Sequence, residues 1–387
     1  MGIIRRDRSR SQARPTARTR RMREAARRDA ELGRDDDTRP TATVRERPRP
    51  PLKRILQLVV VASLALAVIG AVLLWGRVSA FNDRVSSASM ASSALFGPLN
   101  GDDRVNVVMI GYAGDEKHGG TYLADSINIL SIDPKTDTTT LVPIPRDFWV
   151  EGAPELPDNG KINETFAVGW AKGGIEEAGA AVSRVLTRVT GLRIDHWMAI
   201  DFAGFREMVD AVGGVTVSNP VAFSYTWNET NFHAGNWNGG SFKKGTLQLD
   251  GTQALDYARS RYTSVPAESS DFARSVRQQR IMGALRAKLG SGGLSSIGPG
   301  LSLMDALGGR LKTDLSAFDL FLLSGHLQAD RRIELSEDVI LQATRNSDGQ
   351  YILVVIGRQT AADYAPLKTW LRQQLAQPIP SASPSGS

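Results

Sequence analysis

The chain has 387 residues, of which 41% are hydrophobic and 23% are charged, so it is long enough for one large globular domain with appended segments. It contains no cysteine, which excludes disulfides, thiol catalysis and cysteine-ligated metals. Its four histidines are scattered and lack the paired spacing of a zinc site. The net charge of +6 averages two unlike parts of the chain.

Residues 1–54 carry most of the positive charge. This head has seventeen arginines and one lysine against eight acidic residues, a net +10 that leaves −4 for the rest of the chain. It is rich in Arg, Pro and Thr and poor in apolar residues, so we expect it to be disordered. The remaining chain is acidic and the head has no DNA-binding helix pattern, which together argue against a nucleic-acid-binding protein.

The next segment, Ile55–Trp75, is uncharged and long enough to cross about 30 Å of hydrocarbon as a helix. The segment before this helix is basic, since it contains Lys53, Arg54 and many arginines. This predicts that the N-terminal side of the helix is cytoplasmic and that the domain after it is extracytoplasmic. Two alternatives are a signal peptide cleaved after residues 78–80 and a twin-arginine signal at residues 5–6. The apolar run and its charged head are both longer than such signals have, which favours an uncleaved, single-pass membrane anchor.

Residues 76–103 are rich in Ser and Ala and are interpreted as a stalk. Residues 104–375 form the predicted domain, and residues 376–387 a disordered tail. Within the domain, strands and helices alternate: strands over Arg104–Tyr112, Asp125–Asp133, Thr138–Ile144, His196–Asp201 and Val215–Val217, with helices ending at Gly191 and spanning Phe202–Val212. This alternation predicts an α/β fold, a three-layer α-β-α sandwich around a central mixed β-sheet.

The C-terminal part of the domain is predicted to hold two short apolar helices, a hairpin and a final helix. Its elements are the helices Leu301–Leu307 and Leu315–Leu327, the hairpin strands Ile333–Leu341 and Gln350–Ile356, and the helix Ala361–Gln374. The second apolar helix is too short to span a membrane, so we expect it in the core or in the wall of an apolar pocket. Aromatic residues between Ser218 and Thr246 fit either a loop packed on the core or a surface for a sugar or a lipid.

The stretch Ala254–Gln279 concentrates arginines. Arg259 and Arg261 are two residues apart, so on a strand both guanidinium groups would leave by the same face. Arg274 and Gln278 share one face of a following helix, capped by Ser269 or Ser270, whereas Arg277 is expected to point to solvent. Several guanidinium forks together suit a pyrophosphate. A solvated basic face is the alternative, but the apolar neighbours of these arginines favour a half-buried anion site.

Six segments in chain order carry a resemblance to a known family. They are YLADSI at Tyr122–Ile127, PIPRDFWV at Pro143–Val150, KINETFAVGW at Lys161–Trp170, IDHWMAIDFAGFREMVDAVGGVTV at Ile194–Val217, LDGTQALDYARSRY, and SDFARSVRQQ. Together they extend over about half of the chain and resemble the motifs of the LytR-CpsA-Psr family. The resemblance implies a membrane-anchored phosphotransferase that moves a glycopolymer from a polyprenyl-pyrophosphate carrier onto peptidoglycan.

The same resemblance assigns roles to individual residues. The pyrophosphate-binding positions of the family correspond to Arg146, Arg259, Arg261, Arg274 and Gln278. Of these, Arg146, Arg259 and Arg261 are the expected catalytic residues, together with Asp147. Asp147 is either a base for the incoming sugar hydroxyl or a partner that fixes Arg146.

Asp125 corresponds to a carboxylate that helps the family hold a magnesium ion, so Mg²⁺ is the expected cofactor. Many relatives have a second aspartate in a Gly-x-Asp motif, where this chain has Gly111, Tyr112 and Ala113. Either residues of the following loop (Asp115, Glu116 or His118) compensate, or the metal has a single protein carboxylate and more waters.

Two other functions use the same residues. With water as the acceptor, the site would make the protein a polyprenyl-pyrophosphate hydrolase. Without turnover, it would be a membrane-anchored protein that binds polyprenyl phosphates or wall glycans. The sequence alone leaves these open beside glycopolymer transfer.

Overall fold

The structure is a computed structural model that describes residues 52–86, 104–114, 122–290 and 297–379. Some expectations lie outside these ranges. They are the disorder of residues 1–51 and 380–387, the stalk over residues 87–103, and the compensating metal ligands Asp115, Glu116 and His118.

The described helices are α1 (Leu52–Val85), α2 (Glu164–Thr190), α3 (Phe202–Ala211), α4 (Glu229–His233), α5 (Gly251–Arg259), α6 (Asp271–Gly290), α7 (Ile297–Leu307), α8 (Ala317–Ser324) and α9 (Ala365–Ala376). The described strands are β1 (Val105–Tyr112), β2 (Ala124–Asp133), β3 (Thr138–Ile144), β4 (Trp149–Val150), β5 (Gly160–Lys161), β6 (His196–Asp201), β7 (Val215–Asn219), β8 (Phe223–Thr226), β9 (Gly240–Phe242), β10 (Gly245–Leu249), β11 (Tyr262–Thr263), β12 (Leu311–Thr313), β13 (Arg331–Arg332), β14 (Leu341–Arg345) and β15 (Tyr351–Val355).

The chain divides into two compact units, Met1–Leu66 and Ala67–Ser387. Of the first unit, the structure describes only the residues of α1. This helix includes a candidate membrane span, Val59–Val85, with a mean hydropathy of 2.5, and its most apolar window is not buried. The predicted N-terminal apolar helix is therefore present and has the length and composition of a membrane anchor.

Helix α1 continues to Val85 instead of ending near Trp75. Phe81 and Val85 are buried and pack against Leu307 and Leu311. The stalk prediction is therefore wrong over residues 76–85. Residues 78, 81 and 85 follow the i, i+3, i+7 spacing of a helix face, which the Ser- and Ala-rich composition concealed.

Six strands form the central sheet in the order β12-β6-β1-β2-β3-β13. The pairs β1–β6 and β3–β13 are parallel and the others are antiparallel, so the sheet is mixed, as predicted. Met109 on β1 lies opposite both Asn128 on β2 and Met198 on β6, and Asn128 lies opposite Pro143 on β3. Because paired residues share a face, these four side chains form a row across the sheet.

The opposite face of the sheet packs against α2 and α9. Val108 and Ile110 of β1 lie in one buried cluster with Val182 of α2 and Leu367 of α9. Helix α2 ends where predicted, because Gly191 adopts the left-handed conformation with φ of 73° and its N–H bonds to the carbonyl of Thr187.

The face that carries Met109 packs against α8, where Val107 and Leu130 contact Leu323. Helices α3, α5 and α6 join the strands β7 to β10 in a second cluster, centred on Val209, Tyr257 and Ile281. Helices therefore cover both faces, and the predicted three-layer α/β fold is confirmed. The short apolar helix α8 belongs to the core, one of its two predicted places.

The hairpin begins later than predicted. Its first strand is β14 (Leu341–Arg345), not Ile333–Leu341, and it pairs with β15 around residues 346–350. Ile333, Leu335 and Ile340 are buried as irregular chain, which the apolar pattern did not distinguish from a strand. Most of β14 is exposed, so its sequence lacks the alternation that marks a half-buried strand.

Candidate functional site

The predicted anion-binding residues meet in one cavity of about 590 Å³ on the Met109 face of the sheet. They come from three separate parts of the chain, and they are Arg146, Arg259, Arg261, Arg274 and Gln278. Asp125, at the start of β2, lines the same cavity. Its volume is in the range of ligand pockets.

Arg259 and Arg261 reach the cavity by a route different from the predicted strand. Arg259 is the last residue of α5, and Arg261 lies between that helix and β11, so the strand prediction is wrong. A capping box starts α5: the Asp250 side chain accepts from the Gln253 N–H, and the Gln253 side chain accepts from the Asp250 N–H. The sequence DGTQ at residues 250–253 signalled this helix. The two guanidinium groups converge because the helix ends between them.

Arg259 lies among aromatic rings. Its guanidinium carbon is 4.0 Å from the ring centroid of Phe202 and 5.2 Å from that of Trp227. Trp227 lines the cavity, whereas Phe223, Tyr225 and Phe242 are buried in the core. The interpretation of the stretch Ser218–Thr246 as a loop packed on the core is thus confirmed for these three residues, and a surface for a sugar or a lipid stays a prediction. The cation–π contacts fix Arg259 without using its hydrogen-bond donors.

Asp256, one turn before Arg259, also lines the cavity. Burial raises the pKa of its carboxyl group, which the neighbouring Arg259 opposes. The Tyr225 hydroxyl donates to Asp256 Oδ2 at 3.0 Å, and burial raises the pKa of Tyr225 as well. Asp256 therefore bridges the aromatic core and the arginines.

Arg277 does not point to solvent as predicted. Its side chain is fully buried, and it bonds to the carbonyl oxygen of Tyr257 from Nε at 2.8 Å and to that of Ser260 from Nη2. Its Nη1 donates to the Glu268 carboxylate at 2.6 Å. Burial lowers the pKa of Arg277, and Glu268 opposes this shift. These hydrogen bonds hold the backbone in place on both sides of Arg259.

Arg146 and Asp147 follow β3 and belong to a charged network. Arg146 Nη1 donates to Asp125 Oδ1 at 3.4 Å, and Arg146 Nε lies 3.6 Å from Asp147 Oδ2. Lys161 contacts Asp147 at 2.6 Å. Asp147 is buried between these two cations. This geometry matches a partner that orients Arg146, one of the two predicted roles for Asp147.

Gln278 is oriented by the strand beneath it. Ser126 Oγ donates to Gln278 Oε1 at 3.2 Å, and Asn128 Nδ2 donates to Ser126 Oγ at 2.8 Å. The bond to Ser126 occupies the oxygen of the Gln278 amide, which leaves its nitrogen as a donor for an anion.

Ser270 accepts a hydrogen bond from the Ala273 N–H at 3.1 Å, so of the two serines predicted to cap α6, Ser270 is the one that does so.

Most of the remaining lining of the cavity is apolar, although Asp201 and Asp256 also contribute to it. Its walls come from strands β1, β6 and β12 and from helices α3, α5, α6 and α7, through residues that include Met109, Met198, Ile200, Phe205, Met282 and Leu311. An apolar pocket that ends at a cluster of arginines is suited to an amphiphile with a long hydrocarbon part and a polyanionic head.

The model of the LytR_cpsA_psr family matches residues 77–364. The chain belongs to this family. It is 28% identical over 270 residues to the polyisoprenyl-teichoic acid–peptidoglycan teichoic acid transferase TagU of Enterococcus faecalis, covering 69% of this chain and 79% of that protein. The transferase of the same name from Oceanobacillus iheyensis is 32% identical over 239 residues, covering 61% of this chain and 67% of the relative.

The fold agrees with solved structures of the LytR_cpsA_psr family. The crystal structure of B. subtilis TagV superposes with a TM-score of 0.51 at 21% identity, over 71% of this chain and 98% of that one. This likeness concerns the fold.

The resemblance to the LytR_cpsA_psr family implies a magnesium ion, and the cavity contains one of the carboxylates expected to hold it. Among the described residues there is no cluster of three or more His, Asp or Glu side chains able to hold a metal. Ala113 is buried at the end of β1, where the motif of many relatives has aspartate. Asp125 remains, in the same cavity as the arginines, and magnesium often takes one protein carboxylate together with phosphate oxygens.

The contacts that hold the arginines of the cavity in place are not visible in the sequence. The interior position of Arg277 and the stacking of Arg259 on Phe202 both depend on which elements pack together. The only local signals were the capping box of α5 and the aromatic content of residues 218–246.

Proposed function

We propose that this protein transfers a glycopolymer from a polyprenyl-pyrophosphate carrier to a hydroxyl group of peptidoglycan. The main observation behind this proposal is that one cavity combines apolar walls with a cluster of arginines. The arginines are Arg146, Arg259, Arg261 and Arg274. The relatives' names, which mention a polyisoprenyl-linked teichoic acid and peptidoglycan, support the two substrates.

In this proposal the apolar walls hold the lipid and the arginines hold the pyrophosphate. Arginine forks bind phosphate oxygens bidentately, and the Gln278 amide adds a neutral donor. Because phosphoryl transfer depends mostly on positioning and charge neutralisation, the fixed orientation of Arg146 and Arg259 is the main contribution of the protein.

The reaction exchanges one bond at the phosphorus that bears the glycan. The acceptor hydroxyl oxygen forms a bond to this phosphorus. The bond between this phosphorus and the bridging oxygen of the pyrophosphate breaks, and polyprenyl phosphate leaves with the bridging oxygen. The released phosphate monoester can carry the hydroxyl proton, so the atoms balance. Arg146, Arg259 and Arg261 neutralise the charge that develops, and we assign to Asp147 the role of holding Arg146 in place.

Asp125 is the residue that would hold a magnesium ion. Bound there, the ion would neutralise charge on the pyrophosphate oxygens. Arg146 contacts the same carboxylate, so it would keep Asp125 oriented with or without the ion.

We also propose that α1 anchors the chain with its basic N-terminal head in the cytoplasm and its catalytic domain outside. The support is the apolar length of α1 and the charge of the residues before it. Protease added outside intact cells should digest the domain and spare an epitope near Met1. Cleavage of that epitope would show the opposite orientation.

The deciding experiment for the function is turnover of a polyprenyl-pyrophosphate-linked glycan by the full chain in phospholipid vesicles, with and without peptidoglycan. Glycan attached to peptidoglycan, with stoichiometric release of polyprenyl phosphate, supports the transferase. Release of the glycan phosphate without peptidoglycan, and no transfer with it, would identify a hydrolase. Tight binding without turnover would identify a binding protein.

A further inference from the structure

A second cavity, of about 460 Å³, meets the first at the arginine cluster. The residues that line both are Asp125, Ser126, Asn128, Arg146, Arg261, Arg274 and Gln278. Arg259 and the apolar walls belong to the first cavity alone. The anion site is therefore accessible from two directions.

The sheet shows that these directions are opposite. The first cavity extends from β2 over β1 and β6 to β12, through Met109, Met198 and Leu311. The second extends from β2 over β3 to β13, through Pro143 and Arg332. In the strand order β12-β6-β1-β2-β3-β13, β2 separates the two. Both cavities lie on one face of the sheet, because they are lined by residues of the same row across it: Met198, Met109, Asn128 and Pro143.

The far end of the second cavity carries charged and hydroxyl groups beside Leu335 and Leu353, in contrast to the apolar walls of the first. Arg332 and Glu334 form an ion pair at 2.7 Å, and the Tyr351 hydroxyl donates to Glu337 at 2.8 Å. The Tyr351 side chain is substantially exposed at the rim. Carboxylates, a guanidinium and an open aromatic ring are the groups that bind sugar hydroxyls and the apolar face of a sugar ring.

A buried hydroxyl group points to a ligand in the second cavity. Ser275 is only 6% exposed, and its Oγ has no hydrogen-bond partner among the described residues. Ser275 lines the second cavity and not the first. A buried polar atom without a partner costs free energy, which a hydroxylated ligand would recover.

We propose that the second cavity is the acceptor site, which holds a sugar unit of the peptidoglycan strand with one hydroxyl directed at the arginine cluster. The proposal rests on the proposed transferase function. In phosphoryl transfer the entering and leaving oxygens lie roughly in line on opposite sides of the phosphorus. If polyprenyl phosphate leaves towards the apolar cavity, the hydroxyl must enter from the other side of β2. The second cavity lies on that side and carries these polar groups.

The test compares Michaelis constants for the two substrates in the full chain. Glu337→Gln and Tyr351→Ala should each raise the KM for a soluble peptidoglycan strand about tenfold. For Glu337→Gln this corresponds to the loss of one hydrogen bond to a charged group, and for Tyr351→Ala to the loss of one stacking contact. The KM for the lipid-linked donor should change much less. Asp348→Asn is the matched control, because Asp348 is an exposed carboxylate of the same hairpin that lines neither cavity.

The outcomes separate the two proposals. If the wild-type chain transfers glycan and both variants keep the acceptor KM, the acceptor site is elsewhere and the transferase proposal stands. If the variants raise the donor KM instead, the second cavity holds the glycan of the donor, which overturns the assignment. A wild-type chain without transfer activity would refute the proposed function itself. Thermal melts confirm that each variant is folded.

Discussion

Arg277 Nε donates a hydrogen bond to the carbonyl oxygen of Tyr257 at 2.8 Å, in the last turn of α5. The same guanidinium bonds to the carbonyl of Ser260, on the other side of Arg259. One fully buried side chain of α6 thus determines how α5 ends and where Arg259 and Arg261 point. It does so without lining the cavity.

Arg277→Lys should destabilise the protein and reduce activity together. A lysine ammonium cannot reproduce the planar fork, so at least one buried carbonyl loses its donor, at a cost of about 2 kcal/mol. Chemical denaturation and transfer rates measure the two effects. Arg286→Lys, in the same helix and with no contact to α5 among those described, is the control and should change neither quantity. Wild-type stability for Arg277→Lys would contradict the positioning role.

Arg259→Lys and Arg261→Lys should each lower kcat/KM for transfer about a hundredfold, since loss of one fixed charge-stabilising donor costs ~3 kcal/mol. For Arg259 the loss includes its stacking on Phe202. Steady-state rates and thermal melts are the measurements, with the exposed Arg372→Lys as the reference substitution. Near wild-type rates for both variants would mean that the pyrophosphate binds elsewhere.

Asp125→Ala should abolish the magnesium dependence of transfer along with most of the activity. Asp125 is the one carboxylate that matches the metal motif and lies beside the arginines, so no other described residue would replace it there. The measurement is the rate against magnesium concentration after removal of metal with a chelator. Asp158→Ala, an exposed substitution, is the control. Full activity in Asp125→Ala would place the metal on another residue.

Met282→Glu should weaken binding of a long-chain donor much more than that of a short-chain analogue. Met282 lines the apolar part of the cavity, and a carboxylate there replaces contacts that stabilise each buried CH₂ by about 0.8 kcal/mol. Equilibrium binding of the two lipid lengths to the wild-type and variant chains makes the comparison. Equal loss for both lengths would show that the lipid does not occupy these walls.

The His196–Asp314 ion pair should make stability depend on pH. Burial alone would lower the pKa of His196, but Asp314, with Nδ1 to Oδ2 at 3.4 Å, and Asp195 outweigh it and raise the pKa above its ordinary value of 6.5. The stabilisation is therefore complete below that value and is lost as pH rises through the folded-state pKa. The melting temperature of wild type minus that of His196→Gln should shrink between pH 6 and pH 9. A constant difference would contradict this.

The sequence by itself determined the fold class, the N-terminal apolar helix and the arginines that line the first cavity. Strand and helix alternation needs only local periodicity, and the arginines were recognisable because side-chain chemistry is a property of each residue. The route by which Arg259 and Arg261 converge was mispredicted, since spacing of two residues fits a strand and also a helix that ends between them.

Only the tertiary structure decided the environment of those residues. Arg277 differs from Arg274 by three positions on one helix, yet one is buried and the other lines the cavity, because α5 packs over only one side of α6. Phe81 was assigned to a stalk because its burial depends on α7 and β12, more than two hundred residues away. The second cavity required β13 to pair with β3 and the hairpin of β14 and β15 to lie beside Phe148. Such long-range contacts are set by packing, and local sequence does not encode them.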